Sequence, residues 1–289
     1  LSGGSFSLGA RRTPYTSFGA VIGGNFAASG AAKAAFYAPE TDSIDPSALY
    51  ASAMKVKVGG TFQVLDTATV FAEVDGFTGT PVKFEVAGDV TVAEKAKLSA
   101  DGRGWHWYEK ATLDLTKFTT SQIHTEYNKT IVSVSLGCGS SYSVGGTYGL
   151  GEPTDTSSRH EFGYLYAPFL SGGACGGYDT SNRAGGQIWV ETPGTLTLDG
   201  TVTAVPSTGG STRSSSSGGG IWLCAKKLAA GATAKLIANG GNSSGGSSTT
   251  AGGTGGRISV AIGVSAEDLA ALAHGELPEG LAYSEDITA

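Results

Sequence analysis

The stretch GGGIWLC, residues 218–224, repeats a phrase written earlier in the chain as GGQIWVE, residues 185–191. In each copy a glycine pair leads into Ile-Trp-aliphatic: Ile188-Trp189-Val190 and Ile221-Trp222-Leu223. The likeness continues past the tryptophans. Residues 188–210 read IWVETPGTLTLDGTVTAVPSTGG and residues 221–241 read IWLCAKKLAAGATAKLIANGG, each an alternating apolar strand, a break at Gly or Pro, and further short apolar runs. Alternation with period two marks half-buried strands, and glycine-containing dipeptides mark the corners between them. Three other segments fit this template: VKVGGTFQVLDTATVFAEVDG (56–76), VKFEVAGDVTVAEKAKLSADG (82–102) and a truncated ISVAIG (258–263). Read together, the five segments put Val58, Val86, Val190, Leu223 and Val260 on one inward face.

The unit spans about 20–23 residues, yet the starts are unevenly spaced: Ile188 to Ile221 is 33 residues and Ile221 to Ile258 is 37. The excess is Gly, Ser and Thr, in TGGSTRSSSSGG (208–219) and NSSGGSSTTAGGTGG (242–256). A stack of strands spaced by about 4.8 Å behaves in this way. The strands must stay in register while one corner bulges outward by any length, and neighbouring repeats bury the apolar face that one repeat cannot bury alone. The two Trp phrases then lie on adjacent repeats, with the Ser/Gly tract as a corner loop. Tracts of that composition have little apolar surface to offset the cost of ordering, so they need one another, or a neighbouring subunit, to hold them.

The run from Gly185 to Ile262 resembles the glycine-rich parallel β-helix repeats of large secreted or cell-surface bacterial proteins. Gly219-Gly220-Ile221-Trp222-Leu223 and Ile237-Ala238-Asn239-Gly240-Gly241 fit phrases of that family, and FGYLYAPFLSGGACGG (162–177) is similar to the loop that precedes such repeats. The resemblance covers roughly 80–265. It implies an all-β fold, a parallel β-helix or solenoid with long Gly/Ser-rich corner loops, and an extracellular or cell-surface setting. Residues 1–50 read as an irregular Gly/Ala-rich N-terminal part. Residues 51–264 read as the solenoid, with an insertion at 105–185 that opens with a β excursion at about 105–136. Residues 265–289 read as a short helix and tail, with Ser265 as N-cap of the run SAEDLAALA. The opening at Leu1, with Met54 as the sole methionine, is read as a processed piece of something larger.

Composition excludes several classes. The 289 residues include 46 glycines and only 15% charged residues, against about 7% and about 25% in ordinary soluble domains. The net charge of −6 comes without any basic cluster longer than Arg11-Arg12 or Lys226-Lys227, so nucleic acid is not an expected partner. No apolar run reaches the roughly 18 residues of a membrane span. His106, His124, His160 and His274 show no metal-ligand spacing, no nucleotide or nucleophile motif occurs, and no cofactor or metal is expected.

Parallel β-helices can carry paired carboxylates for polysaccharide cleavage. Asp75, Asp101 and Asp199 precede turns and read as corner residues, and no acid cluster is evident on one face. SRHEF (158–162) and WHWYE (105–109) gather polar groups, but adjacent strand residues face opposite sides. Trp189 and Trp222 are the sharper feature. Outward on successive repeats, they form either a flat platform for sugar rings or an aromatic strip covered by a loop or neighbouring chain. Cys138 and Cys175 are candidates for a disulfide with Cys224 free, or all three are thiols. Asn128 and Asn242 match the glycosylation acceptor pattern.

The expectation is a non-catalytic structural or adhesive module of a surface protein or fibre-like assembly, associating with itself or with other surface-protein segments. A carbohydrate-binding module and a β-helix polysaccharide-degrading enzyme are the alternatives.

Overall fold

The computed structural model describes residues 1–9, 19–39, 53–75, 80–104, 166–172, 183–207, 215–242, 252–274 and 276–282. They form strands in parallel sheets and one short helix. In chain order the strands are β1 (Ser5–Leu8), β2 (Gly19–Ile22), β3 (Phe26–Ala28), β4 (Lys33–Tyr37), β5 (Met54–Val58), β6 (Phe62–Val64), β7 (Thr69–Glu73), β8 (Val82–Val86), β9 (Val90–Val92), β10 (Lys97–Ser99), β11 (Gln187–Leu198), β12 (Thr201–Thr203), β13 (Gly220–Ala230), β14 (Lys235–Ile237) and β15 (Arg257–Ile262). The helix α1 spans Ala266–Ala273.

Each strand up to β8 pairs with the third one along the chain, and from β9 on, where β11 and β13 are long, with the second. One sheet runs β1-β4-β7-β10-β12-β14; the other runs β2-β5-β8-β11-β9-β6-β3, with β13 and β15 following β11. Three series therefore advance side by side, each strand parallel to its counterpart one repeat along. Long β11 and β13 serve two series at once. The register between them shifts between Thr192 and Thr195, where Pro193 supplies no N–H and where the Thr192 hydroxyl accepts from the amide of Gly194 at 2.9 Å.

Register sets the core. Ala20, Val56, Phe84, Val190, Leu223 and Val260 form one inward ladder. Phe26, Phe62, Val90, Leu196 and Leu228 form a second, and Phe6, Ala34, Val70, Leu98, Val202 and Leu236 a third. Rings interleave between the series: Phe62 lies 5.0 Å from Phe26 and 5.2 Å from Phe84, and Phe36 meets Phe84 edge-on at 5.4 Å. The alternation seen in MKVKV, buried at Met54, Val56 and Val58 and exposed at both lysines, is this inward-outward pattern.

The repeated glycine pairs have a steric cause. Gly186, Gly219 and Gly256 donate their amides to Ala100, Ala204 and Ala238 at 2.8, 2.7 and 2.6 Å, closing the corner between the third and first series. They also lie directly on one another. A Cβ on Gly219 would meet the Gly186 carbonyl oxygen at 1.8 Å, and one on Gly256 would meet that of Gly219 at 1.9 Å. At another corner, Asn25 Oδ1 accepts from Thr61 N at 2.9 Å and Asp89 Oδ1 from Thr195 N at 2.7 Å. Gly60 and Gly194 leave room for those side chains.

Two expectations are corrected. Val58 and Val86 are partners, but Val190 pairs with Phe84, so the proposed five-residue ladder slips by two. A two-residue slip preserves the in-out pattern, and periodicity alone does not resolve it. The N-terminal part is not irregular throughout: β1 to β4 fall within residues 1–50 and join the same series. They are three to five residues long and hold several alanines, which weakens the apolar signal. The 105–136 excursion lies outside the described residues.

Ser265 caps α1, its hydroxyl accepting from Asp268 N at 3.1 Å. Buried Leu269, Leu272 and Ala273 turn the helix onto the outer face of the first series.

Candidate functional site

The outer face of the first series carries two parallel ladders. One runs Lys55, Lys83, Trp189, Trp222, Ser259; the next runs Lys57, Glu85, Glu191, Cys224, Ala261. Both lose their charged residues as the stack advances, the last being Lys83 on one and Glu191 on the other. Lys83 Nζ lies 2.8 Å from Glu191 Oε2, 3.2 Å from Glu85 Oε1 and 4.6 Å from the centre of the Trp189 ring. Trp189 Nε1 donates to Glu191 Oε1 at 2.9 Å. One buried ammonium thus joins two carboxylates and an indole. Burial by itself pulls the Lys83 pKa down; attraction and hydrogen bonding from Glu191, then Glu85, outweigh it and leave the pKa raised.

The tryptophans are stacked and covered. Their ring centres are 4.9 Å apart at 27°, and the residues are 1% and 0% exposed. Phe169 lies 5.8 Å from Trp189 and 6.4 Å from Trp222. The segment 166–172 crosses the strip, tied at one end where the Ser259 hydroxyl donates to Tyr166 O at 2.7 Å and at the other where Gly172 N donates to Gly185 O at 2.8 Å. Leu269 and Leu272 of α1 complete the cover. A sugar ring has no open indole face here, which removes the geometric basis for Trp189 and Trp222 as a carbohydrate platform. Cys224 is buried beside them; burial first, then the Glu191 charge, pushes its thiol well above the ordinary thiol range.

Beside this network lies a groove of about 800 Å³, lined by Val21, Lys57, Glu85, Glu191, Pro193 and Leu269 among others. Glu85 and Glu191 are direct register partners on neighbouring strands. The expectation that no acids gather on one face is thereby corrected. Their pairing depends on joining residues 106 positions apart; the available signal was the matching outward glutamate in VKFEV and IWVET. Lys83 was likewise missed.

A second ionic cluster lies on the third series. Glu73 is buried against the Arg103 Nη1 donor and accepts from Arg183 Nη1 at 2.7 Å; Arg183 also donates to Gly104 O from Nε and Nη2. Arg103 sits over the Phe71 ring at 4.1 Å. This cluster binds β7 to the chain entering β11.

Of the other candidates, Asn242 is exposed, and Cys138, Cys175, Asn128, His106, His124 and His160 lie outside the described residues. His274 caps the end of α1. Asp101 Oδ1 accepts from the Thr203 hydroxyl at 2.7 Å and from Val205 N at 2.9 Å, holding a corner. Among the described residues, no three His, Cys, Asp or Glu side chains gather as a metal site, and no helix is long and apolar enough to cross a membrane. No family model matches the chain, and no similar curated protein or solved structure was found.

Proposed function

We propose that this chain is a parallel β-solenoid acting as a non-catalytic structural or adhesive module of an extracellular or cell-surface protein. The observation that carries the reading is the continuous register of Val56, Phe84, Val190, Leu223 and Val260. The inward positions build one stacked core, and the most prominent outward aromatics are spent on holding a covering segment. The glycine-rich β-helix repeats of secreted and surface proteins, which the Gly-Gly-x-Ile phrases resemble, supply the setting. The test is an antiserum against residues 1–289 applied to intact source cells, with protease shaving of the surface. Labelling and release from intact cells are expected; signal only after lysis overturns the surface assignment.

Polysaccharide cleavage is a second reading, favoured by one observation: Glu85 and Glu191 lie side by side on the groove. Lys83 engages both carboxylates, which speaks for a structural use. Turnover of a polysaccharide panel that disappears in Glu85→Gln and in Glu191→Gln, with both variants folded, would establish the enzyme instead.

A further inference from the structure

Among the described residues the inward ladders end at β14 and β15 on one side and at β1 and β2 on the other. At one end Leu228 and Ile262 are 41% and 44% exposed, and Leu236, Ile258 and Val260 are only partly buried. At the other, Phe6 is 40% exposed, and Leu8, Ile22 and Phe26 are only partly buried. The neighbours of these residues along the same ladders, such as Val56, Phe84, Leu98 and Val202, are closed off from solvent. No described strand pairs with the outer edges of β14 and β15, nor with those of β1 and β2.

We infer that a second copy of this chain docks end to end on this one, its β1 and β2 edges adding in parallel to β14 and β15. The inference rests on the proposed stacked-repeat reading and names the partner. Every pairing in the stack is parallel and joins one series to itself, so the groups left open at one end are the complement of those left open at the other. A strand added to β15 must run parallel to it while another is added to β14 at the spacing of the two series. The opposite end of the same fold meets both conditions. Continuing the observed register sets Ser259 opposite Gly19, Val260 opposite Ala20, Ala261 opposite Val21 and Ile262 opposite Ile22. It sets Lys235 opposite Ser5, Leu236 opposite Phe6 and Ile237 opposite Ser7. The first and third apolar ladders then continue across the junction. Neither β1 nor β2 holds a charged residue, so no like charges oppose each other. Val21, 79% exposed, gains Ala261 as its neighbour. Strand edges that no described strand occupies are templates for another chain, and a head-to-tail contact that does not close extends beyond a dimer.

The test is light scattering on the whole chain, with hydrogen exchange as the folding control. Wild type should grow past two copies with concentration. Leu236→Lys/Ile262→Lys spoils one edge and Phe6→Lys/Val21→Lys the other; each variant alone should be monomeric, and a one-to-one mixture should form a dimer that grows no further. A monomeric wild type with protected amides in β8 and β11 overturns the pairing and leaves the stacked repeat standing. A wild-type assembly that survives both double substitutions also overturns it. Unprotected β8 and β11 amides in wild type sink the stacked-repeat reading itself.

Discussion

Replacing Gly219 with alanine tests the corner that decides this fold. The new Cβ would sit 1.8 Å from the Gly186 carbonyl oxygen and 2.7 Å from the Gly185 carbonyl carbon and oxygen. All three are backbone atoms, so no side chain can swing aside. Reaching an ordinary carbon–oxygen separation of about 3.4 Å requires a shift of about 1.5 Å between strands spaced at about 4.8 Å. That movement would break Gly220 N to Gly186 O, now 3.0 Å, and would strain Gly219 N to Ala204 O, 2.7 Å. Each lost bond costs about 1 kcal/mol net, and a buried amide left unpaired about 1–3 kcal/mol. The expected destabilisation is about 3–5 kcal/mol, a large part of the roughly 5–15 kcal/mol that stabilises a typical domain. The internal control is Gly255→Ala in the last glycine pair, where a Cβ meets nothing within 4 Å. It should be neutral, or stabilising by a few tenths of a kcal/mol through the unfolded chain. Urea unfolding of both variants beside wild type measures the difference. A Gly219→Ala chain within about 1 kcal/mol of wild type would refute the close glycine stacking, as would equal effects at the two positions.

Three further outcomes concern the outer face. Because the folded pKa of Cys224 is raised, its contribution is intact below the unfolded thiol pKa of about 8.5 and is lost as pH climbs above it; the melting temperature should fall from about pH 8 to 10 in wild type and fall less in Cys224→Ala. Lys83, also raised, keeps its contribution until pH passes the ordinary lysine range. Glu191→Gln leaves the Lys83 ammonium, 11% exposed at its side chain, with one carboxylate; a broken buried pair costs roughly 3–5 kcal/mol, and the partial exposure here reduces this to about 2 kcal/mol in urea unfolding. Trp222→Ala should cost about 3–5 kcal/mol; in a background with Trp105 and Trp107 replaced by phenylalanine, the parent emission should be blue-shifted and resist acrylamide, and ready quenching would contradict the covered strip.

Much of the architecture was legible because the decisive residues repeat. Gly-Gly-x-Ile-Trp names a corner without room for a Cβ, an inward isoleucine and an outward indole, and Ser265 with Glu267 and Asp268 marks the helix start. Three things were not legible, for distinct reasons. The pairing of Phe84 with Val190 spans the long insertion, and a slip of two residues leaves every inward residue inward. The first repeats hide because Ala28, Ala34 and Ala35 fill strand positions where β-branched residues would announce a strand. The Lys83–Glu85–Glu191 network and the Glu73–Arg103–Arg183 cluster are products of register, since no spacing along the chain brings their members together.

The change of character along the outer ladders explains how the rest of the chain is held to the stack. Lys55 and Lys57 are exposed, which a repeat facing water requires. Trp189 and Trp222 occupy the same ladder as Lys55 two and three repeats on, and two stacked indoles left in water would forfeit much of the gain from folding. Burying a side chain of this size yields several kcal/mol, and the gain here depends on segments far apart in sequence: Phe169 and Leu170 from the long insertion, Leu269 and Leu272 from the C-terminal helix. Lys83 sits at the boundary, its charge matched by Glu85 on its own strand and by Glu191 on the strand of Trp189, and its ammonium lies against the Trp189 ring. The inward residues are nearly interchangeable between repeats, since each need only be apolar and fit. The outward residue at a single ladder position therefore decides whether a repeat meets solvent or receives an attachment. That is why the two IWx phrases, alike inside and out, lie where the chain folds back upon itself, and why VKF, alike only inside, does not carry the same cover.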